Sequence, residues 1–395
     1  MRQSSPAHYL SQSPHESRHE SRHFIAVRRL GAAMAIALLA MLGAHPGPAG
    51  AWDNSFLGPL RTVTTVASTV PANGDVNPYG IVVVRRSIGA LHGGSVLVSN
   101  FNDSSNLQGT GTTIVQIDAA GNASLFAQID PASLDPACPG GVGLTTALVV
   151  LERGWVIVGS LPSASGMSAD AEAGCLIVID PQGQAVRAMR GDGISGPWDM
   201  TVLDEGDVAH LFVTNVLDGS VTSGSPHVVH KGTVLRIDLE VPEPGYGIPR
   251  RSATTIIGSG FAETADPVAL VIGPTGVALS RDGTLYVADT LNNRIAAIDG
   301  APWREDSMGT GRTVSQGGAL NGPLGLALAP NGDILTANAN DGNAVETTPD
   351  GMQVAVKTLD SVTGAGSLFG LTVAPDGCSL LFVDDGDNTL KALVR

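Results

Sequence analysis

The 395-residue sequence predicts an all-β chain arranged as a six-bladed β-propeller. Three observations lead there. Gly (50) and Pro (24) are abundant and aromatics are only 4%, which suits short strands between tight turns better than long helices. One pattern recurs six times after residue 60: a Gly- or Pro-containing turn, an apolar strand, a short turn, a second apolar strand, a polar loop and a third strand. In the last three copies the short turns Asp282-Gly283, Asn331-Gly332 and Asp376-Gly377 are two-residue hairpin signals. With 43% hydrophobic and 15% charged residues, the chain can bury a sizeable core.

The first 51 residues read as a cleaved signal peptide. Arg28-Arg29 precede an apolar run from Leu30 to Ala44, Pro46 and Pro48 break it, and Ala49-Gly50-Ala51 offers a small-residue cleavage site before Trp52. The run is too short to cross a bilayer core comfortably. Five of the nine histidines lie in this segment and belong to the presequence reading. Its removal takes five Arg and two Glu and moves the net charge from −15 to −18. No later stretch is apolar enough to span a membrane, so the expectation is an exported protein, periplasmic or extracellular, without stable membrane insertion. Its acidity excludes a nucleic-acid footprint, which needs clustered cations.

Residues 52–395 then form one propeller domain. The first copy comprises Asn77–Val84, Val96–Asn100 and Thr113–Asp118, and the second Leu144–Leu151, Trp155–Ser160 and Leu176–Asp180. The third comprises Gly196–Leu203, Leu211–Asn215 and Thr233–Asp238. The fourth runs from Gly273 to Asp299, the fifth begins at Gly322 and reaches Asn338 by its second strand, and the sixth runs from Leu368 through Asp385 to a last strand ending at Arg395. Such small antiparallel units cannot bury both faces alone; stacking them around an axis does so and leaves only short edges. The sixth copy lacks a fourth strand, and the free segment Arg61–Ser68 is expected to supply it, so that both termini hide an open edge.

The fourth copy, with Gly273-Pro274-Thr275-Gly276-Val277-Ala278, Asp282-Gly283-Thr284-Leu285-Tyr286-Val287-Ala288-Asp289 and Asn293-Arg294-Ile295, resembles an NHL repeat. The whole region from about residue 60 resembles NHL-type six-bladed propellers with four-stranded blades, in the broad group of gluconolactonase-like and streptogramin-lyase-like proteins. The resemblance speaks to fold rather than activity.

With strands a to d numbered from axis to rim, the b–c loops and the entries to strand a share one face, and the a–b turns share the other. Strand b ends on a polar residue in each copy: Asn100, Ser160, Asn215, Asp289, Asn338 and Asp385. Such a ring could ligate Ca²⁺, although these side chains also cap turns. The resemblance implies Asn, Asp or Glu at the inner ends of strand a in the calcium-dependent lactonases. Here those positions read Tyr79, Trp198, Thr275, Leu324 and Phe369, with Asp199 beside Trp198. That departure leaves an apolar, partly aromatic patch, which serves either as a mouth for a ligand or as packing beneath the loops.

His227 and His230 lie in the long b–c loop of the third copy, near Asp218, and are candidates for the same ligand-binding face; two histidines alone do not make a zinc site. There is neither a G-x-S-x-G elbow nor a Walker loop. Cys138 and Cys175 fall on one face of the second copy and are expected to pair, with Cys378 free. The leading expectation is a binding scaffold for a small molecule or protein, without a cofactor, acting through the b–c loop face. The alternative is a metal-assisted hydrolase or lyase, with Ca²⁺ in the Asn/Asp ring.

Overall fold

A computed structural model describes residues 54–217, 227–267, 269–361 and 367–395. Residues 1–51, where a signal peptide is expected, and Asp218 lie outside the described residues. Six antiparallel sheets follow one another along the chain. The strands of blade one are Val76–Val83, Val96–Asn102, Thr113–Ile117 and Ala123–Gln128. Blade two has Leu144–Val150, Val156–Ser160, Cys175–Ile179 and Ala185–Met189. Blade three has Gly196–Asp204, Val208–Val216, Val229–Glu240 and Arg250–Asp266, followed by a short fifth strand, Leu270–Ile272. Blade four has Pro274–Leu279, Leu285–Asp289, Arg294–Ile298 and Arg312–Gln316. Blade five has Pro323–Leu328, Ile334–Asn338, Asn343–Thr347 and Gln353–Thr358. Blade six has Leu368–Val373, Leu380–Asp384 and Thr389–Val394, and its outer strand is Thr62–Ser68 from the other end of the chain, paired antiparallel from Thr62↔Val394 to Ser68↔Thr389.

The alternation of apolar residues along each strand sends side chains into the two flanking blade interfaces. Leu97, Leu148, Val158 and Ile177 fill the interface between blades one and two. Leu335, Leu371, Phe382 and Leu393 do the same between blades five and six. Cys138 and Cys175 are bonded with a Cα–Cα distance of 5.5 Å, and Cys378 is free and exposed. In the chain-entropy account, closing that 37-residue separation stabilises by about 4 kcal/mol.

One buried carboxylate moors the start of the domain. Glu346, on the third strand of blade five, accepts from Ser55 Oγ at 2.6 Å, Phe56 N at 2.7 Å and Leu57 N at 2.8 Å. Leu57 and Leu60 are thereby seated in the core between blades five and six, and the chain then enters Thr62–Ser68.

The register also corrects one expectation from the sequence. Strand b of blade six ends at Asp384, which pairs with Leu368 as Asn100 pairs with Pro78 and Asn338 with Pro323. Asp384, and not Asp385, is the sixth member of the polar ring. The repeated Val-Asp-Asp run offers two carboxylates where the other blades offer one polar residue, so only the pairing could choose between them.

Candidate functional site

Strand a of every blade bulges just after the residue that pairs with the polar end of strand b. The bulge turns one side chain per blade toward the axis: Tyr79, Thr145, Trp198, Thr275, Leu324 and Phe369. All six are buried. Tyr79 stacks on Phe369 with ring centroids 3.7 Å apart and on Phe101 at 4.4 Å, and Trp198 lies about equally far from both Tyr79 (6.1 Å) and Phe369 (6.4 Å). These residues therefore plug one end of the central channel and do not present a surface, which corrects the expected ligand-binding face at Tyr79, Trp198 and Phe369. The physical reason is length: strand d of blade three runs 17 residues and overshoots its sheet. Its continuation folds back through Leu270–Ile272 across the plug. Trp198 Nε1 donates to Val271 O at 2.9 Å, Gln108 of blade one brackets the turn through Pro267 O and Leu270 N, and Ser168 of blade two donates to Leu270 O. Leu270 sits at φ 58°, a left-handed conformation that the surrounding contacts hold in place.

The next residue of each inner strand forms a second ring. It reads Gly80, Thr146, Asp199, Gly276, Gly325 and Gly370. Neighbouring blades approach so closely here that a Cβ on Gly325 would stand 2.0 Å from Phe369 O, and one on Gly370 would stand 2.4 Å from Tyr79 O. The two blades without glycine use polar side chains that reach forward instead. Thr146 Oγ1 donates to Trp198 O, and Asp199 Oδ2 accepts from Val277 N of blade four at 3.0 Å. Asp199 Oδ1 accepts from Met200 N at 2.8 Å.

Beneath this ring the channel opens. It is a cavity of about 1030 Å³, lined by all six inner strands and reaching the a–b turns at Arg85, Glu152 and Asp204. The accessible site thus faces the side opposite to the one expected from the sequence. As innermost strands are sheet edges, they turn unpaired backbone N–H and C=O groups toward this space. Asp199 stands at the closed end. Burial raises its carboxyl to about 7, against the opposing effect of the Met200 and Val277 amides.

This shift has a consequence for stability. Between the ordinary aspartate value and about 7, the folded chain keeps a proton that the unfolded chain has lost, so stability falls as pH rises across that window. The loss attributable to Asp199 is about 4 kcal/mol at most. Asp199→Asn should flatten that part of a pH series of denaturant unfolding, and a wild-type slope retained by the variant would refute the assignment. Asp385, raised to about 6 by burial and then by Asp384, acts in the same direction over a narrower range.

The polar ring at the ends of strand b is engaged within its own blades. Asn100 Nδ2 donates to Thr69 O and Thr113 Oγ1. Asn215 accepts from Ser195 N and Gly196 N. Asn338 donates to Ala319 O and Asp341. Asp289 pairs with Arg294 at 2.8 Å, and Asp384 with Lys391 at 2.7 Å. Among the described residues no three His, Cys, Asp or Glu side chains converge. The ring members cap turns and tie strands, while Asn100 Oδ1 and Asn338 Oδ1 are buried without a hydrogen-bond partner. Arg294→Ala is expected to cost about 3 kcal/mol by stranding the buried Asp289, with Asn292 still donating to it. Recovery of part of that loss on adding Asp289→Asn, measured by chemical denaturation, is the check. His227 and His230 are exposed where strand c of blade three begins, and neither reaches the channel.

Asp199, expected beside Trp198 on the ligand-binding face, stands instead below the plug at the closed end of the channel. The signal that could have placed it was the run of four glycines at the matching position of the other blades.

Residues 272–298 match the NHL repeat family. No curated protein matches the chain by sequence. Among solved structures the chain is similar to regucalcin, a calcium-binding protein from Agrobacterium tumefaciens, at 13% identity and TM-score 0.52, covering 82% of this chain and 92% of that one. It is also similar to catalytically inactive virginiamycin B lyase from Staphylococcus aureus with quinupristin (13% identity, TM-score 0.49, 85% and 99% covered). A gluconolactonase from Xanthomonas campestris gives 15% identity and TM-score 0.49, with 84% and 89% covered. With six antiparallel blades around one axis and an NHL repeat in the fourth, the chain is a six-bladed β-propeller by fold.

Proposed function

We propose that this chain is a small-molecule-binding propeller whose ligand enters the central channel from the a–b-turn side. The observation that carries this reading is the one-ended cavity of about 1030 Å³, closed by the aromatic plug and floored by a carboxyl group. A concave, largely preformed space of this order is what ligand sites share. The opposite face offers buried rings beneath a hairpin and does not support the scaffold reading at Tyr79, Trp198 and Phe369. We further propose that the protein is exported, on the strength of the sequence pattern of residues 1–51 and the Cys138–Cys175 bond.

Acid–base chemistry on the bound ligand is the second reading. It is favoured by one observation, that Asp199 exchanges its proton near neutrality. Regucalcin lends fold alone to a metal-assisted version, and among the described residues no three His, Cys, Asp or Glu side chains converge.

A thermal-shift screen with monosaccharides, aldonolactones and alkylammonium ions tests the main reading. At least one class should raise the melting temperature of the wild type and lose that effect in Thr372→Trp, which fills the channel from blade six. Compounds that stabilise both proteins equally would remove the channel as the site.

A further inference from the structure

The geometry points to an organic cation as the channel's ligand, with its ammonium group held by Asp199 at the closed end. This inference rests on the channel reading and adds the class of ligand.

The argument starts from what surrounds the carboxylate. Both of its oxygens accept one backbone N–H, from Met200 and Val277, and each retains further acceptor capacity. The remaining charged groups along the cavity stand at its open end: Arg85 and Arg86 on blade one, Glu152 on blade two and Asp204 on blade three. Arg86 donates to Glu152 O, and Glu152 N donates to Asp204, so that rim is occupied with itself. None of these groups enters among the causes that set the Asp199 proton affinity; burial and the two amides do. Among the described residues, no cation of the protein's own faces the carboxyl group at the floor of the channel. Asp199 is part-buried at the channel wall, and a carboxylate withdrawn from bulk water gains from the counter-charge that a bound cation supplies.

The choice between cations follows from the ligand count. Ca²⁺ takes six to eight oxygens, usually with several carboxylates. Asp199 is a single carboxylate, and the same level of the other inner strands supplies four glycines and Thr146. An alkylammonium needs only three acceptors, and the free carbonyl edges of the inner strands can complete that set around one carboxylate. The aliphatic flanks of the channel, such as Leu148, Val277 and Leu326, suit the hydrocarbon part. The ring position also explains why the group sits on blade three. Only there does the inner strand carry a carboxylate, where four other blades carry glycine and blade two carries Thr146.

The sign of the pH dependence is fixed. The cation prefers ionised Asp199, so affinity should rise between pH 6 and pH 8 by about tenfold, as the carboxyl passes through about 7. A neutral ligand has no reason to follow that course.

Isothermal titration of the folded chain with hexylammonium chloride, 1-hexanol and CaCl₂ in separate experiments decides the matter. Hexylammonium should bind, about tenfold tighter at pH 8 than at pH 6, and at least about tenfold tighter than hexanol at pH 8. Asp199→Asn should remove both differences, and so should Asp199→Gly, which restores the residue used by four other blades and guards against a folding defect of the amide. Hexylammonium binding that ignores both variants, or its absence at millimolar concentration, overturns the inference. So does Ca²⁺ binding that is lost in Asp199→Gly while the amine has no effect. Hexanol binding that Thr372→Trp blocks, without any amine preference, leaves the channel as a site and rejects the cation. Binding of every probe unchanged in Thr372→Trp rejects the channel itself.

Discussion

Glu346→Ala should lower the free energy of unfolding by about 4–5 kcal/mol and release the first residues of the domain from blade five. The carboxylate is fully buried and accepts from Ser55, Phe56 and Leu57, with Asn331 also donating to it. Hydrogen bonds to a charged acceptor contribute about 1.5–3 kcal/mol each, and they do not add fully when they share one group. Their loss also leaves two backbone amides unsatisfied and frees Leu57 and Leu60 from the core. The residues that follow form the outer strand of blade six, so unfastening should spread to Thr62–Ser68. Hydrogen exchange of that strand provides a local readout: protection should fall there before it falls in blades two to four. A variant as stable as the wild type, with the strand still protected, would show that the segment is held by packing alone. Asp333, raised to about 6 by burial and its bond to Glu346, should return toward the ordinary aspartate value in the same variant.

Trp198→Ala should cost about 4 kcal/mol, the usual range for emptying a buried large aromatic position. Trp198 packs at the centre of the plug and gives its indole N–H to Val271, so the substitution removes both the floor under the hairpin and one of its ties. If this residue were instead a surface anchor for a partner, stability would change little and binding would change much. Chemical denaturation of Trp198→Ala and Trp198→Phe separates the two roles. The Phe variant should recover most of the packing and none of the hydrogen bond to Val271. A loss below about 1 kcal/mol for the Ala variant would mean that the ring is not part of the core.

Much of the fold was legible in the residues because it is local and repeated. Alternating strands, Asp-Gly and Asn-Gly turns and six similar copies specify short antiparallel sheets, and sheets of that size have to stack to bury both faces. The orphan strand Arg61–Ser68 stood out for the same reason, since the last copy lacked a fourth strand; in the structure Thr62–Ser68 lies on Thr389–Val394. The choice between Asp384 and Asp385 was beyond pattern reading. A one-residue shift changes which side chain ends the strand, and two adjacent aspartates look alike until the pairing is known.

The candidate site was less legible, and the reason is specific. Whether Tyr79, Trp198 and Phe369 meet solvent or one another depends on what lies above them. What lies above them is a strand of blade three that extends well past its neighbours, tied down by Gln108 and Ser168 from two other blades. Those contacts join residues some 100 to 160 positions apart, and no periodicity encodes them. The sequence by itself determined the repeat, the strand count per blade and the residues available at the axis. Only the tertiary structure decided which end of the channel is sealed and which is open, because sealing results from one strand overshooting its sheet. The same packing made Asp199 the carboxylate at the floor, since in the second ring of the inner strands it stands between Thr146 of blade two and Gly276 of blade four and lines the channel.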